Sequence, residues 1–177
     1  METAFEKILT TSHRPAMESY IAAHPESFEE AVNLAIADKQ PYSWRASWLL
    51  WSCMEKNDKR IRKHVKAIIN VLPKRKDNQK RELLKILEQM DINEKLEGLL
   101  FNQCVNIWEK TDKQPSVRFN AFKILAKISK RHPELSKEII LLIQSQYTES
   151  LSSSVNKSIN KMIKEIPRWQ GFAINIE

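Results

Sequence analysis

Glycine is nearly missing: 177 residues contain only Gly98 and Gly171. Tight hairpins and phosphate-cradling loops depend on the positive φ that glycine adopts without strain, so their scarcity speaks against a hairpin-rich sheet and against a P-loop. Cysteine occurs twice, as Cys53 and Cys104, each among apolar residues where a thiol behaves as a small buried hydrophobe. That is too few for a disulfide framework, and neither paired Cys nor paired His spacing offers a zinc site. The start, "METAFEKILTTSHRPAM", carries Glu2 and Glu6 and no apolar run, unlike a secretory leader, so a cytoplasmic protein is expected. No stretch nears the ~18 apolar residues of a membrane span; "EIILLIQSQY" meets Gln144 too soon. HExxH, Cys-x-x-Cys and Gly-x-Ser-x-Gly are absent as well. His13, His24, His64 and His132 are scattered, and His24 and His132 each precede a proline, as turn residues do. Neither a catalytic constellation nor a cofactor or metal site is expected. Pairs such as Glu29 and Glu30 read as solvated charge.

What is abundant is Lys, Glu, Leu, Ile and Ala, residues that lose little on entering a helix or pack well on its buried face. The net charge of +7 is unevenly placed: residues 1–55 carry −4, residues 56–85 carry +9 and residues 86–177 carry +2. The central segment supplies Lys59, Arg60, Arg62, Lys63, Lys66, Lys74, Arg75, Lys76, Lys80 and Arg81 as candidate binding cations. A patch of that density attracts polyanions or acidic protein segments; equally, it is what a solvated helix face with a basic turn looks like.

Hydrophobic periodicity supplies the helices. Ile61, Val65, Ile68, Ile69 and Leu72 form one stripe of a 3.6-residue helix over 58–72, which Pro73 ends. Similar patterns predict helices at about 27–38, 43–57, 78–90, 94–110, 115–131, 134–147 and 151–166. Their short connections make antiparallel hairpins the economical arrangement, in one domain spanning 1–177.

The hairpins repeat. "DKQPYSWRASWLLWS" (38–52) and "DKQPSVRFNAFKIL" (112–125) share Asp-Lys-Gln-Pro, and one inserted residue brings Arg45 into register with Arg118, and also with Lys80 and Asn156. Three and six residues later stand Trp48, Leu83, Ala121 and Ile159, then Trp51, Ile86, Ile124 and Met162, all apolar. A period in the thirties with two helices per unit marks an α-solenoid.

The segment 94–131, with its apolar first helix, Asp-containing turn, Pro and Val-Arg followed by a small Ala, resembles a HEAT repeat. The likeness extends to 27–57 and weakens over 58–90 and 134–166. By this resemblance the chain is all-α, a right-handed α-α superhelix of about four HEAT-like hairpins with an N-terminal helix and a C-terminal cap supplied by Trp169. The resemblance further implies that Asp38 with Arg45, and Asp112 with Arg118, brace their turns. A non-catalytic module that binds protein or peptide is the function it implies. Nucleic-acid binding through 56–85 is the alternative. A third reading comes by analogy with HEAT-like alkylpurine DNA glycosylases, whose catalytic Asp has no alignable counterpart here.

Trp44, Trp48 and Trp51 recur at i, i+4 and i+7 beside Arg45 and therefore share one side of a helix. Since Trp48 and Trp51 fall at register positions filled elsewhere by aliphatic residues, both are expected in the core, as is Trp108. Trp44, in the first turn, is the indole expected at the rim, where it could line a groove.

Overall fold

The apolar stripes at 27–38, 43–57, 78–90, 94–110 and 115–131 each become one helix in the computed structural model, which describes residues 2–167. Trp169, expected to cap the last hairpin, lies outside the described residues. No strand occurs among the described residues. They fall into two compact units divided between Leu99 and Leu100, inside one helix.

The first unit opens with α1 (Ala4–Thr11) and α2 (Arg14–Ala23), so two helices stand where one was expected. Thr3 accepts from the Glu6 amide and Glu6 returns the bond to the Thr3 amide, a capping box that satisfies two donors at the start of α1. Then come α3 (Ser27–Ile36), α4 (Tyr42–Cys53), α5 (Lys59–Arg62), α6 (Val65–Val71), a 3-10 turn over Leu72–Lys74, α7 (Asp77–Gln89) and the start of α8 (Glu94–Trp108). The expected single helix over 58–72 is broken at Lys63 and His64. His64 and Lys63 both reach Glu29 of α3, each at 3.0 Å, and the His64 amide turns back to the Ile61 carbonyl. Ile61, Val65, Ile68, Ile69 and Leu72 are nevertheless all buried. The stripe reported burial correctly without reporting an unbroken helix.

α4 is central to this unit, packing on α3 and α7 and touching α1 and α2. Its buried face is made of small or aliphatic residues: Ser43, Ala46, Ser47, Leu49 and Leu50 are all essentially inaccessible. The Ser47 hydroxyl donates to the Ser43 carbonyl at 2.8 Å, and Ser43 Oγ accepts from the Lys39 amide at 2.8 Å, so both hydroxyls are satisfied without water. Small satisfied residues let α3 and α7 approach closely.

The second unit holds the rest of α8, α9 (Pro115–Ser129), a 3-10 turn over Pro133–Leu135, α10 (Ser136–Leu142), α11 (Ser145–Thr148) and α12 (Ser153–Lys164). The stretch 134–147, expected as one helix, is thus three short pieces. α10 stops where the Trp108 indole donates to the Leu142 carbonyl at 2.6 Å, taking an acceptor that a longer helix would use itself. α9 packs on α10 and α12, and Val117, Ala121, Phe122, Ile124 and Leu125 are buried along it. Trp108 is wholly buried against Phe122, with ring centroids 4.7 Å apart, as expected of a core indole.

Side chains near the start of one helix repeatedly close the end of another, most often an earlier one. Arg45 donates to the carbonyls of Leu9 and Ser12 at the end of α1. Arg75 donates to the Ile36 carbonyl through Nε (3.1 Å) and Nη2 (2.7 Å), while Gln79 donates to the Ala35 and Ala37 carbonyls at 2.8 and 2.9 Å. Arg118 donates to the Trp108 carbonyl at 2.8 Å, to Ser150 Oγ at 3.2 Å and to the Tyr147 carbonyl at the end of α11. The last carbonyls of a helix have no partner within it and carry partial negative charge, so a guanidinium suits them. This corrects the expected bracing by aspartate. Asp112 is exposed, Asp38 faces Arg75 at 3.7 Å, and neither is bonded to Arg118 or Arg45.

Candidate interaction surface

At 100° per residue, Trp44, Trp48 and Trp51 lie within about 60° of one another and roughly opposite the buried face of α4. The three indoles are all half-buried, so the expectation that Trp48 and Trp51 belong to the core is corrected. The cause is a one-residue shift of register. Ser43, Ala46, Ser47 and Leu50 match Val117, Asn120, Ala121 and Ile124 in burial, which is the alignment without an insertion. Arg45 and Arg118 are each the fourth residue of their helices, yet Arg45 is half-buried and Arg118 is inaccessible.

Each ring has a cation over it. Arg14 of α2 stands 5.7 Å from the Trp48 centroid, Lys85 of α7 4.2 Å from Trp51, and Arg45 6.0 Å from Trp44. Trp44, expected as the open rim, buries its indole nitrogen without a hydrogen-bond partner among the described residues. Lys85 and Arg81 share Glu82, whose side chain is fully enclosed, at 3.0 and 2.7 Å. The result is a strip of aromatic rings edged by Arg14, Arg45 and Lys85. Arg14 and Lys85 are not among the cations that sequence patterning singles out; nothing in their local sequence distinguishes them, since what matters is the ring each covers.

The remaining candidate cations divide in two. Arg60 grips Asp58 with Nε (3.0 Å) and Nη2 (2.7 Å) and lies 3.6 Å over the Phe28 ring; its guanidinium holds the Asp58 carboxyl below the usual carboxylate range. Lys63 pairs with Glu29, which together with His64 lowers that carboxyl too, so Glu29 is not merely solvated. Glu30 accepts from Thr3 Oγ1 at 2.6 Å. Arg75 is spent on α3, Arg81 on Glu82, and Lys80 is buried. Lys59, Arg62, Lys66, Lys74 and Lys76 are exposed and have no partner among the described residues. The patch visible as a charge total is therefore about half structural.

Cys104 is wholly buried; Cys53 is half-buried, and desolvation pushes its thiol up to about 11, which leaves little thiolate at neutral pH. No group of His, Cys, Asp and Glu among the described residues could hold a metal ion, and no helix there is long and apolar enough to cross a membrane. His24 closes α2, its Nδ1 3.1 Å from the Tyr20 carbonyl, in keeping with a turn role.

No curated protein and no solved structure matches the chain. The family model described as a HEAT repeat domain matches residues 2–166, which covers nearly all the described helices. With helices and no strand among the described residues, Gln79, Lys80, Leu83 and Ile86 of α7 buried just as Val117, Arg118, Ala121 and Ile124 of α9 are, and this match in hand, the chain belongs to the HEAT repeat family.

Proposed function

We propose that the chain is a non-catalytic module that binds a protein or peptide partner through the aromatic strip of α4. HEAT repeats generally mediate protein interactions. The observation that carries the reading is the row Trp44, Trp48 and Trp51, half-buried on one face with a cation over each ring. Tryptophan and arginine dominate protein-binding hot spots because they bury large areas while keeping a polar handle. Arg14, which also holds Glu18 at 2.7 Å, and Arg45, which closes α1, set positive charge at the strip's edge. The unpartnered cations Lys59, Arg62, Lys66, Lys74 and Lys76 form a separate charged region that favours acidic partners.

The test is selection of a random peptide library on the immobilised chain, followed by titration of enriched peptides against single variants. Trp48→Ala and Trp51→Ala should each weaken binding at least tenfold while the chain stays folded. Peptides indifferent to both substitutions would remove the strip from the reading. A random DNA duplex bound with log K falling at about −0.9 per phosphate contact against log salt, and lost on Lys59→Glu with Lys66→Glu, would replace it with nucleic-acid binding.

A further inference from the structure

The connection between α4 and α5 is pinned to the end of α7 by one residue. Asn57 takes a left-handed conformation with φ 54°, which asparagine tolerates better than most side chains. Its amide donates to the Gln89 carbonyl at 2.9 Å, its Nδ2 to Asp91 at 2.7 Å, and its Oδ1 accepts from the Asp91 amide at 3.3 Å. Beside this clamp lies a groove of about 390 Å³, with Val65, Ile92 and Leu96 as its apolar wall and Arg62 and Asn93 on the polar side. A second hollow of about 530 Å³, formed by residues 55–60, shares Asn57 and Arg62 with the first. Arg62 lines both, so the first depression has the second as its neighbour.

The charges around it are not balanced. Asp58 is neutralised by Arg60, while Asp91, which accepts from the neutral Asn57 amide, keeps its negative charge on the lining of the first hollow. Lys56, Lys59 and Arg62 have no partner among the described residues and outnumber Glu55 and Asp91, the two carboxylates that line the same hollows without an ion-pair partner. A planar guanidinium with no partner, next to a wall of aliphatic side chains, fits a carboxylate that has an apolar neighbour. The volume suits a few residues of extended chain.

We infer that this depression is a subsite for an extended acidic segment of a partner protein, with an Asp or Glu paired to Arg62 and an adjacent aliphatic side chain seated on Val65, Ile92 and Leu96. The inference rests on the reading of the chain as a peptide-binding module and is independent of the tryptophan row. Clamping by Asn57 holds the groove open before the partner arrives, which lowers the ordering cost of binding.

The probe is a fluorescein-labelled dodecapeptide of alternating Asp and Leu, titrated by anisotropy against the whole chain, with alternating Lys-Leu and Asp-Ser peptides for comparison. Asp-Leu should bind, Asp-Ser at least fivefold more weakly, and Lys-Leu not at all. Arg62→Glu should weaken Asp-Leu tenfold or more, and Ile92→Ser several-fold; because Arg62 is exposed and unpaired, its replacement leaves the fold intact. On adding Asp-Leu, the backbone amides of Asn57, Asn93 and Leu96 should shift in NMR spectra. Unchanged affinity in Arg62→Glu, or equal binding of Lys-Leu, overturns the subsite. Trp48→Ala should leave Asp-Leu binding unaltered. Loss there with Arg62→Glu silent would move the acidic segment to the α4 strip and end this proposal, whereas the reverse pattern sustains the groove whatever becomes of the strip.

Discussion

α4 starts on the residue after its Asp-Lys-Gln-Pro and α9 on the proline of its own copy; both are central to the packing of their own units, but they bury opposite kinds of surface. α9 encloses Val117, Phe122, Ile124 and Leu125 together with the whole of Arg118. α4 encloses two serines, an alanine and two leucines, and leaves three indoles half outside. The shared tetrapeptide places each helix start to within one residue and says little about how the helix is rotated. Rotation follows from which face lets the neighbouring helices approach, and on α4 that is the face with small residues. Bulky rings on the other side then remain as surface.

The comparison breaks most decisively at the two arginines. Arg118→Ala would strand the Trp108 carbonyl in a dry interior and release the part-buried Tyr147 carbonyl, and should cost about 3 kcal/mol or more, whereas Arg45→Ala, whose bonds to Leu9 and Ser12 are both only part-buried, should cost about 1. Urea midpoints of the two variants measure the gap, and equal losses would mean that the two helices are equivalent after all.

The indoles sharpen it next. Trp108→Ala should destabilise by about 3 to 5 kcal/mol through a core cavity, while Trp48→Ala and Trp51→Ala, partly exposed already, should cost about half as much or less. In variants retaining a single indole, iodide should quench Trp48 and Trp51 well and Trp108 scarcely. Strong protection of Trp48 and Trp51 would restore the core reading and the inserted register.

The smallest effect is electrostatic and lies in the first unit. Because Arg60 holds the Asp58 carboxyl below its ordinary value, that interaction stabilises the folded chain above the ordinary carboxylate range and is lost as pH falls through the depressed value. Asp58→Asn should therefore be less stable than the parent at pH 7, with thermal midpoints converging as pH falls below the ordinary Asp range. A gap that persists undiminished at low pH would assign the loss to the α5 cap that Asp58 also provides, not to its charge.

Much of the fold was legible because apolar spacing and short connections constrain helices strongly, and the buried stripe of 61–72 was right even where its helix breaks. The binding surface was less so. Charge totals could not tell Arg62, which is free, from Arg75, which serves α3, since both sit in basic runs. Nor could a pattern of apolar residues identify the core side of α4, because serine counts as polar in sequence yet packs well once its hydroxyl bonds the backbone. The Asn57 clamp left one trace, an Asn just before the Asp that caps α5; its partner Asp91, 34 residues on, did not.

The fastening of one helix's end by a side chain from a later helix ties the lengths of the two together. A residue inserted into the last turn of α8 would swing its terminal carbonyl by about 100° away from Arg118, and a residue gained early in α9 would do the same to the guanidinium. Such helices cannot lengthen or shorten one at a time. Length variation in this chain is therefore confined to the segments that no arginine or glutamine spans, and drift in the spacing of its repeats must come in matched steps.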